Sequence, residues 1–192
     1  MSFIEDFFSK IMSAAPVNFV PEKLLHANWF DTPLGPMIAL ANDSNLYLLE
    51  FIDRRELARE IEQMRKKYKI DITPGNNNVL KKTKQALIDY FSGKNLELNL
   101  PTKMMGSPFQ QRVWQALCTI PSSTTISYKT LANKVNQPTA YRAVANANSK
   151  NRLALAIPCH RVINENGALG GYAGGISRKA WLIQHEQKYR SN

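Results

Sequence analysis

The chain changes character at residue 100. Residues 1–100 carry 13 Lys and Arg against 13 Asp and Glu, whereas residues 101–192 carry 12 against two, Glu165 and Glu186. The whole formal charge of +10 therefore belongs to the second half. A half with so few carboxylates cannot neutralise its cations internally, so its fold must present them to water or to a polyanion. A high isoelectric point alone would describe any soluble basic protein; segregation of the charge favours a nucleic-acid face. With 192 residues, 44% of them hydrophobic, one large or two small domains can bury real cores. The change at Leu100–Gly106 divides the chain into a scaffold over 1–100, with 1–20 as an added extension, and a functional part over 101–192.

Hydrophobic spacing and turn chemistry fill in both parts. Met1 to Met12 reads as a short amphipathic helix with Ser2 and Glu5 spaced as a capping box; its acidic residues and short apolar run exclude a signal peptide. No stretch reaches the length of a membrane span. Leu24 to Phe51 reads as two strands joined by the polar turn Asn42-Asp43-Ser44-Asn45. Arg54 to Lys69 is an amphipathic helix with Leu57, Ile61, Met64 and Tyr68 on one face, and Ile70-Asp71-Ile72 a short third strand. A helix follows from Asn78 to Ser92, ended by Gly93.

In the second part a helix starts at Ser107-Pro108, a cap followed by a first-turn proline, and buries Phe109, Val113, Trp114 and Leu117. Cys118 lies in that pattern and reads as core. Ser127 caps a helix from Tyr128 to Val135; Asn136-Gln137-Pro138 turns; Thr139 opens a second from Ala140 to Ser149. Helix, short turn, helix is the layout of a helix-turn-helix, although an ordinary helical hairpin has the same outline. Arg142 stands among Ala140, Ala143, Ala145 and Ala147, whose small side chains permit close approach to a groove. A last helix runs from Arg178 to Lys188, after the glycine-rich Gly170-Gly171-Tyr172-Ala173-Gly174-Gly175, whose spacing does not match a dinucleotide fingerprint.

The chemistry concentrates at Ile157-Pro158-Cys159-His160-Arg161-Val162. Leu153 to Ile157 reads as a strand stopped by Pro158, which presents the Cys159 thiol at its end beside an imidazole able to take its proton. A free cysteine is also a common small buried hydrophobe. Glu186, on a helix able to fold back toward His160, fits the carboxylate that orients a catalytic imidazole, or a plain surface glutamate. Cys118 and Cys159 form neither a disulfide framework nor a zinc-spaced pair, so a reducing cytoplasmic setting is expected.

Together these pieces resemble the O6-alkylguanine-DNA alkyltransferase family, from about Trp29 to Glu186. The resemblance rests on Pro158-Cys159-His160-Arg161-Val162 with Asn151 upstream and Gly170 to Gly175 downstream. Ser107-Pro108-Phe109-Gln110, Ile126-Ser127-Tyr128, Arg142-Ala143-Val144 and Asp31-Thr32-Pro33-Leu34-Gly35-Pro36 add to it. It implies an α+β fold: a small N-terminal antiparallel sheet with helices, ribonuclease-H-like, and then a mostly helical part with a winged helix-turn-helix. It implies a suicide methyltransferase that flips an O6-alkylguanine, and also an O4-alkylthymine, out of DNA and takes the alkyl group onto Cys159.

In that scheme His160, through a water, and Glu186 activate the thiol. Asn151 braces the turn before it, and Tyr128 sits at the pocket mouth and donates its hydroxyl to the guanine. Val162, Tyr172 and Ala173 face the base, with the Val162 and Cys159 carbonyls reading its amino group. Arg142 replaces the base in the stack, and Ser127, Thr139, Ala140 and Tyr141 meet the DNA. The partner is double-stranded DNA through its minor groove, with single strands also accepted; no cofactor, metal or membrane is implied, and the protein is expected to be a monomer. Pro121-Ser122-Ser123-Thr124-Thr125 replaces the family's Pro-Tyr-Gly-Glu-Thr, Tyr141 a smaller residue, and Ala173 a serine. Three other readings compete: a non-catalytic DNA-binding module, a thiol hydrolase, and a transcription regulator. The first needs no Cys159, the second no Arg142, and the third would show a preferred DNA sequence.

Overall fold

The computed structural model describes residues 3–12 and 23–190. Its first half builds one sheet from β1 (Leu24–Phe30), β2 (Met37–Ala41), β3 (Leu46–Phe51) and β4 (Asp71–Pro74), in the order β3-β2-β1-β4. The stretch expected as two strands is three, because the chain reverses between Phe30 and Met37. There Thr32 accepts from the Gly35 amide and returns its hydroxyl to the Gly35 carbonyl, and Gly35 takes φ +107°. β1, β2 and β3 pair antiparallel; β4 joins β1 in parallel, so the sheet is mixed rather than wholly antiparallel.

Every residue of β2 is buried, as a central strand covered on both faces requires. Its alternation divides two cores. Ile38 and Leu40 face α1 (Phe3–Met12) and α2 (Leu57–Tyr68), where Phe7, Phe8, Ile11, Leu57, Ile61 and Met64 are buried. Met37, Ala39 and Ala41 face α3 (Asn78–Phe91) and the second half. Full burial of each such side chain contributes roughly 1.5–3 kcal/mol, so α1 is bound to the sheet by its own apolar face. The capping box expected at Ser2 lies outside the described residues.

In the second half, α4 (Pro108–Leu117) starts on a complete capping box between Ser107 and Gln110. α5 (Tyr128–Lys134) starts on the Ser127 hydroxyl, which accepts from the Thr130 amide at 3.0 Å. α6 (Tyr141–Ser149) begins later than expected: its cap is Ala140, with no side-chain bond, so Thr139 does not open it. α4 crosses α6 with the Trp114 indole donating to the Ala147 carbonyl at 2.9 Å. Cys118 is exposed at the C-terminal cap of α4 and is not core.

The strand expected over Leu153 to Ile157 does not form. Leu153 makes one bridge to the outer edge of β3, with the Leu49 amide donating to the Arg152 carbonyl and the Ala154 amide donating to the Leu49 carbonyl. Leu155 then takes φ +67°, a left-handed conformation that turns the chain off the edge. Cys159 consequently lies in one turn of 3-10 helix, Cys159–Arg161, that begins after Pro158. β5 (Ile126–Ser127) and β6 (Val162–Ile163) pair in parallel beside it, and α7 (Ile176–Lys188) closes the fold.

Candidate active site

Cys159 is 5% exposed and lies on a cavity of about 490 Å³. The cavity is lined by Tyr128 from the start of α5, Tyr141, Arg142, Ala145 and Asn148 from α6, and Gly171, Tyr172 and Ala173 from the glycine-rich loop. Residues distant in sequence thus converge on one sulfur. Ser127, Thr139, Ala140 and Val162 are not among the lining residues. Ser127 caps α5, and Thr139 is exposed on the turn before α6. Arg142 is exposed, its guanidinium 5.6 Å from the Tyr141 ring centre.

Asn151 holds the bend that delivers the thiol. Its side-chain amide donates to the Ile157 carbonyl at 2.9 Å and to Cys159 Sγ at 3.1 Å, while its oxygen accepts from the Leu153 amide at 2.9 Å. Burial pushes the Cys159 thiol up to about 11, against the lowering effects of Asn151 and the Lys179 ammonium. The resting group is therefore a thiol. It must lose its proton in the act of reacting.

His160 is fully buried, with Nε2 2.8 Å from Glu186 Oε1. Burial of Glu186 disfavours its charge, but hydrogen bonds from His160 and Arg161 and the charge of the Arg161 guanidinium outweigh that cost and hold it at about 2. An ionised carboxylate only accepts, so His160 Nε2 carries the proton and Nδ1 keeps a lone pair. That Nδ1 is buried and has no hydrogen-bond partner among the described residues. Burial also lowers the imidazole's own pKa, which keeps it neutral. The arrangement is a base anchored from behind by an anion.

Several neighbours were not legible as functional. Arg161, 1% exposed, bonds Glu186 through Nε at 3.0 Å and Nη2 at 3.0 Å, and spends Nη1 on Glu97 and the Ile120 carbonyl. Tyr90 donates its hydroxyl to Glu186 Oε1 at 2.9 Å, and Ser123 its amide to Oε2 at 3.0 Å. Lys179, fully buried, donates to the Val162 and Gly171 carbonyls; burial lowers it to about 8. Asn148 reaches the Cys159 carbonyl at 3.4 Å. The only sequence signal for any of these was the scarcity of acids in this half, which made Glu186 stand out but not its partners.

The fold and this thiol–imidazole–carboxylate centre define a class. Residues 25–104 match the ribonuclease-like domain and residues 108–188 the DNA binding domain of 6-O-methylguanine DNA methyltransferase, and the chain belongs to that family. It is 38% identical over 164 residues to a methylated-DNA--protein-cysteine methyltransferase of Mycobacterium leprae, spanning 85% of this chain and 93% of that one. A protein of the same name from Shigella flexneri is 38% identical over 162 residues, 81% of this chain and 91% of that one. The crystal structure of Mycobacterium tuberculosis OGT in complex with DNA superposes with a TM-score of 0.73 at 35% identity, covering 85% of this chain and 94% of that one.

Proposed function

We propose that this protein repairs DNA by direct reversal, moving the alkyl group of O6-alkylguanine, and of O4-alkylthymine, onto its own Cys159. The observation that carries the reading is the buried Cys159 thiol on a cavity that Arg142 also lines, next in sequence to a buried His160 anchored by Glu186. A guanine inside a duplex cannot reach a buried sulfur, so the nucleotide must leave the stack at a cost of a few kcal/mol. Arg142, exposed at the rim, fills the space the base leaves and offsets part of that cost.

The thiol proton passes to His160 Nδ1, through one water as the family resemblance implies. The imidazolium is stabilised by Glu186, which stays ionised. Sγ attacks the alkyl carbon in line; the S–C bond forms as the C–O6 bond breaks, and the bonding pair stays with guanine. Guanine takes up a proton with help from the Tyr128 hydroxyl, which burial keeps protonated. The sum is thiol plus alkylguanine giving thioether plus guanine, so no cofactor is consumed. A thioether is not hydrolysed under mild conditions, and each molecule reacts once.

Double-stranded DNA is the partner, met by α6 in the minor groove, and affinity falls steeply with salt as phosphates are neutralised. A thiol that must stay reduced fits the cytoplasm; among the described residues no helix is long and apolar enough to cross a membrane. The test is intact-protein mass spectrometry after mixing with a duplex containing one O6-methylguanine. One methyl per protein on the peptide containing Cys159 is expected. Tight binding of the lesion with no mass gain would replace this reading with a damage-recognition module.

A further inference from the structure

The first half contributes no reacting group, yet one side chain joins it to the cavity wall. Arg178, in the first turn of α7, directs its guanidinium into the first half. Its Nε donates to the Leu34 carbonyl at 2.9 Å, and Nη1 and Nη2 grip the Asp53 carboxylate at 2.9 and 2.8 Å. Nη1 also donates to the Gly174 carbonyl at 3.0 Å, and the guanidinium carbon lies 4.1 Å from the centre of the Phe51 ring. Gly35 makes room for it: a Cβ at that position would sit 3.0 Å from Nη2. The turn Thr32 to Gly35 is thus shaped as a socket for this arginine.

The other end of the same loop is held by the next residue. Lys179 donates to the Gly171 carbonyl, so the first turn of α7 fixes the loop at Gly171 and at Gly174. Tyr172 and Ala173, which line the cavity, lie between the two anchors. Gly174 packs where a Cβ would meet Tyr172 at 2.8 Å and Phe51 at 3.0 Å, leaving little slack between loop and sheet. Lys179 ties the loop only to its own half; Arg178 ties it to the turn after β1 and to the chain after β3.

We propose that Arg178 is a positioning residue for alkyl transfer, clamping the Tyr172–Gly174 wall of the cavity to the first half so that the extruded base is held in line with Cys159. The inference rests on the function proposed above. A planar fork serving two carbonyls and a carboxylate at once has no substitute in lysine, which offers a single nitrogen. Arg178 lies outside the cavity lining, so its loss changes the alignment of a bound base rather than the binding of DNA.

The experiment compares wild type, Arg178→Met and Arg178→Lys at a temperature where circular dichroism finds all three folded. Single-turnover methyl transfer from an O6-methylguanine duplex, transfer from the free O6-alkylguanine base, and affinity for an unmodified duplex are measured. The expected result for Arg178→Met is a transfer rate at saturating DNA lowered roughly tenfold, a similar loss with the free base, and unmodified-duplex affinity within about twofold of wild type. Arg178→Lys should recover little of the rate, and carries the same expectation if Arg178→Met does not fold. A lowered melting temperature with an unchanged transfer rate would reduce Arg178 to a structural tie and overturn the proposal, as would equal losses in duplex affinity and rate. Absence of methyl transfer by the wild type would instead refute the underlying reading of function.

Discussion

Glu50 in the first half and Glu186 in the second are buried to nearly the same degree, 2% and 1% exposed, and each has an arginine partner. Their protonation nevertheless moves in opposite directions. Burial pushes Glu50 up to about 7, and neither Arg54 at 3.1 Å nor the Phe51 amide at 3.2 Å reverses it. Arg54 divides its charge with Glu60, at 2.7 Å, and Glu60 itself repels a second anion. Glu186 suffers the same desolvation, but it receives two nitrogens of Arg161, His160 Nε2, the Tyr90 hydroxyl and the Ser123 amide, and is held at about 2. Burial sets the penalty and the supply of donors decides the outcome. Four donors from the half that does chemistry and one, the Tyr90 hydroxyl, from the first half keep this carboxylate charged.

The largest effect follows from removing that charge. Glu186→Gln keeps the volume but leaves Arg161 with only the half-exposed Glu97 as an anionic partner and His160 without the carboxylate that fixes its tautomer. Loss of base catalysis is expected to slow single-turnover methyl transfer by about 10²–10⁴-fold. Stability should fall by up to about 3–5 kcal/mol, the usual range for breaking a buried ion pair, and a denaturant titration beside the rate measurement reads both. Transfer at the wild-type rate in a folded Glu186→Gln protein would remove the carboxylate from the mechanism and erase the contrast with Glu50.

The contrast also predicts two opposite slopes of stability against pH. For Glu186 the folded pKa lies below the unfolded value of about 4.5, so its contribution is complete above that pH and is lost as pH falls toward 2. For Glu50 the folded pKa lies above the unfolded one, so stability is highest below about 4.5 and declines as pH rises through about 7. Each displacement corresponds to about 3 kcal/mol at about 1.4 kcal/mol per pH unit. Glu50→Gln should therefore abolish the decline between pH 5 and 8 while leaving Arg54 paired with Glu60. Urea titrations across that range read the slope, which is independent of any constant offset the substitution brings. An unaltered slope would mean that Glu50 is ionised in the folded protein like its counterpart.

What the sequence made legible follows the same division between local and collective physics. Signals written in single residues were readable: helix starts at Ser107 with Pro108 and at Ser127, and the stop at Gly93, where φ is +76°. Cys159, His160 and Glu186 stood out as rare residue types in an acid-poor half. Arg161 did not, because a buried arginine looks like any surface cation until its six acceptor atoms on Glu186, Glu97 and two carbonyls are assembled by the fold. The run from Leu153 to Ile157 has the apolar continuity of a buried strand, but one register with β3 at Leu153 and a left-handed Leu155 replace the ladder. Cys118 followed a helical period one residue past the helix end and so came out exposed.

The smallest expected effect lies in the loop that departs from the family pattern, and it sharpens what counts as a donor. Ser123 supplies Glu186 with a backbone amide at 3.0 Å and bonds the Glu186 carbonyl through its hydroxyl. Its φ is +61°, where the family sequence has glycine and where a side chain costs roughly 1–2 kcal/mol. Ser123→Gly relieves that strain, keeps the amide and gives up one hydroxyl bond worth roughly 1 kcal/mol. The two changes oppose each other, so stability should stay within about 1 kcal/mol and methyl transfer within about twofold of wild type. The side chain is then dispensable and the backbone donor is what Glu186 requires. A large loss of transfer in a stably folded Ser123→Gly protein would assign the hydroxyl to the relay, and make the supply of donors to Glu186 a matter of side-chain identity rather than of backbone geometry.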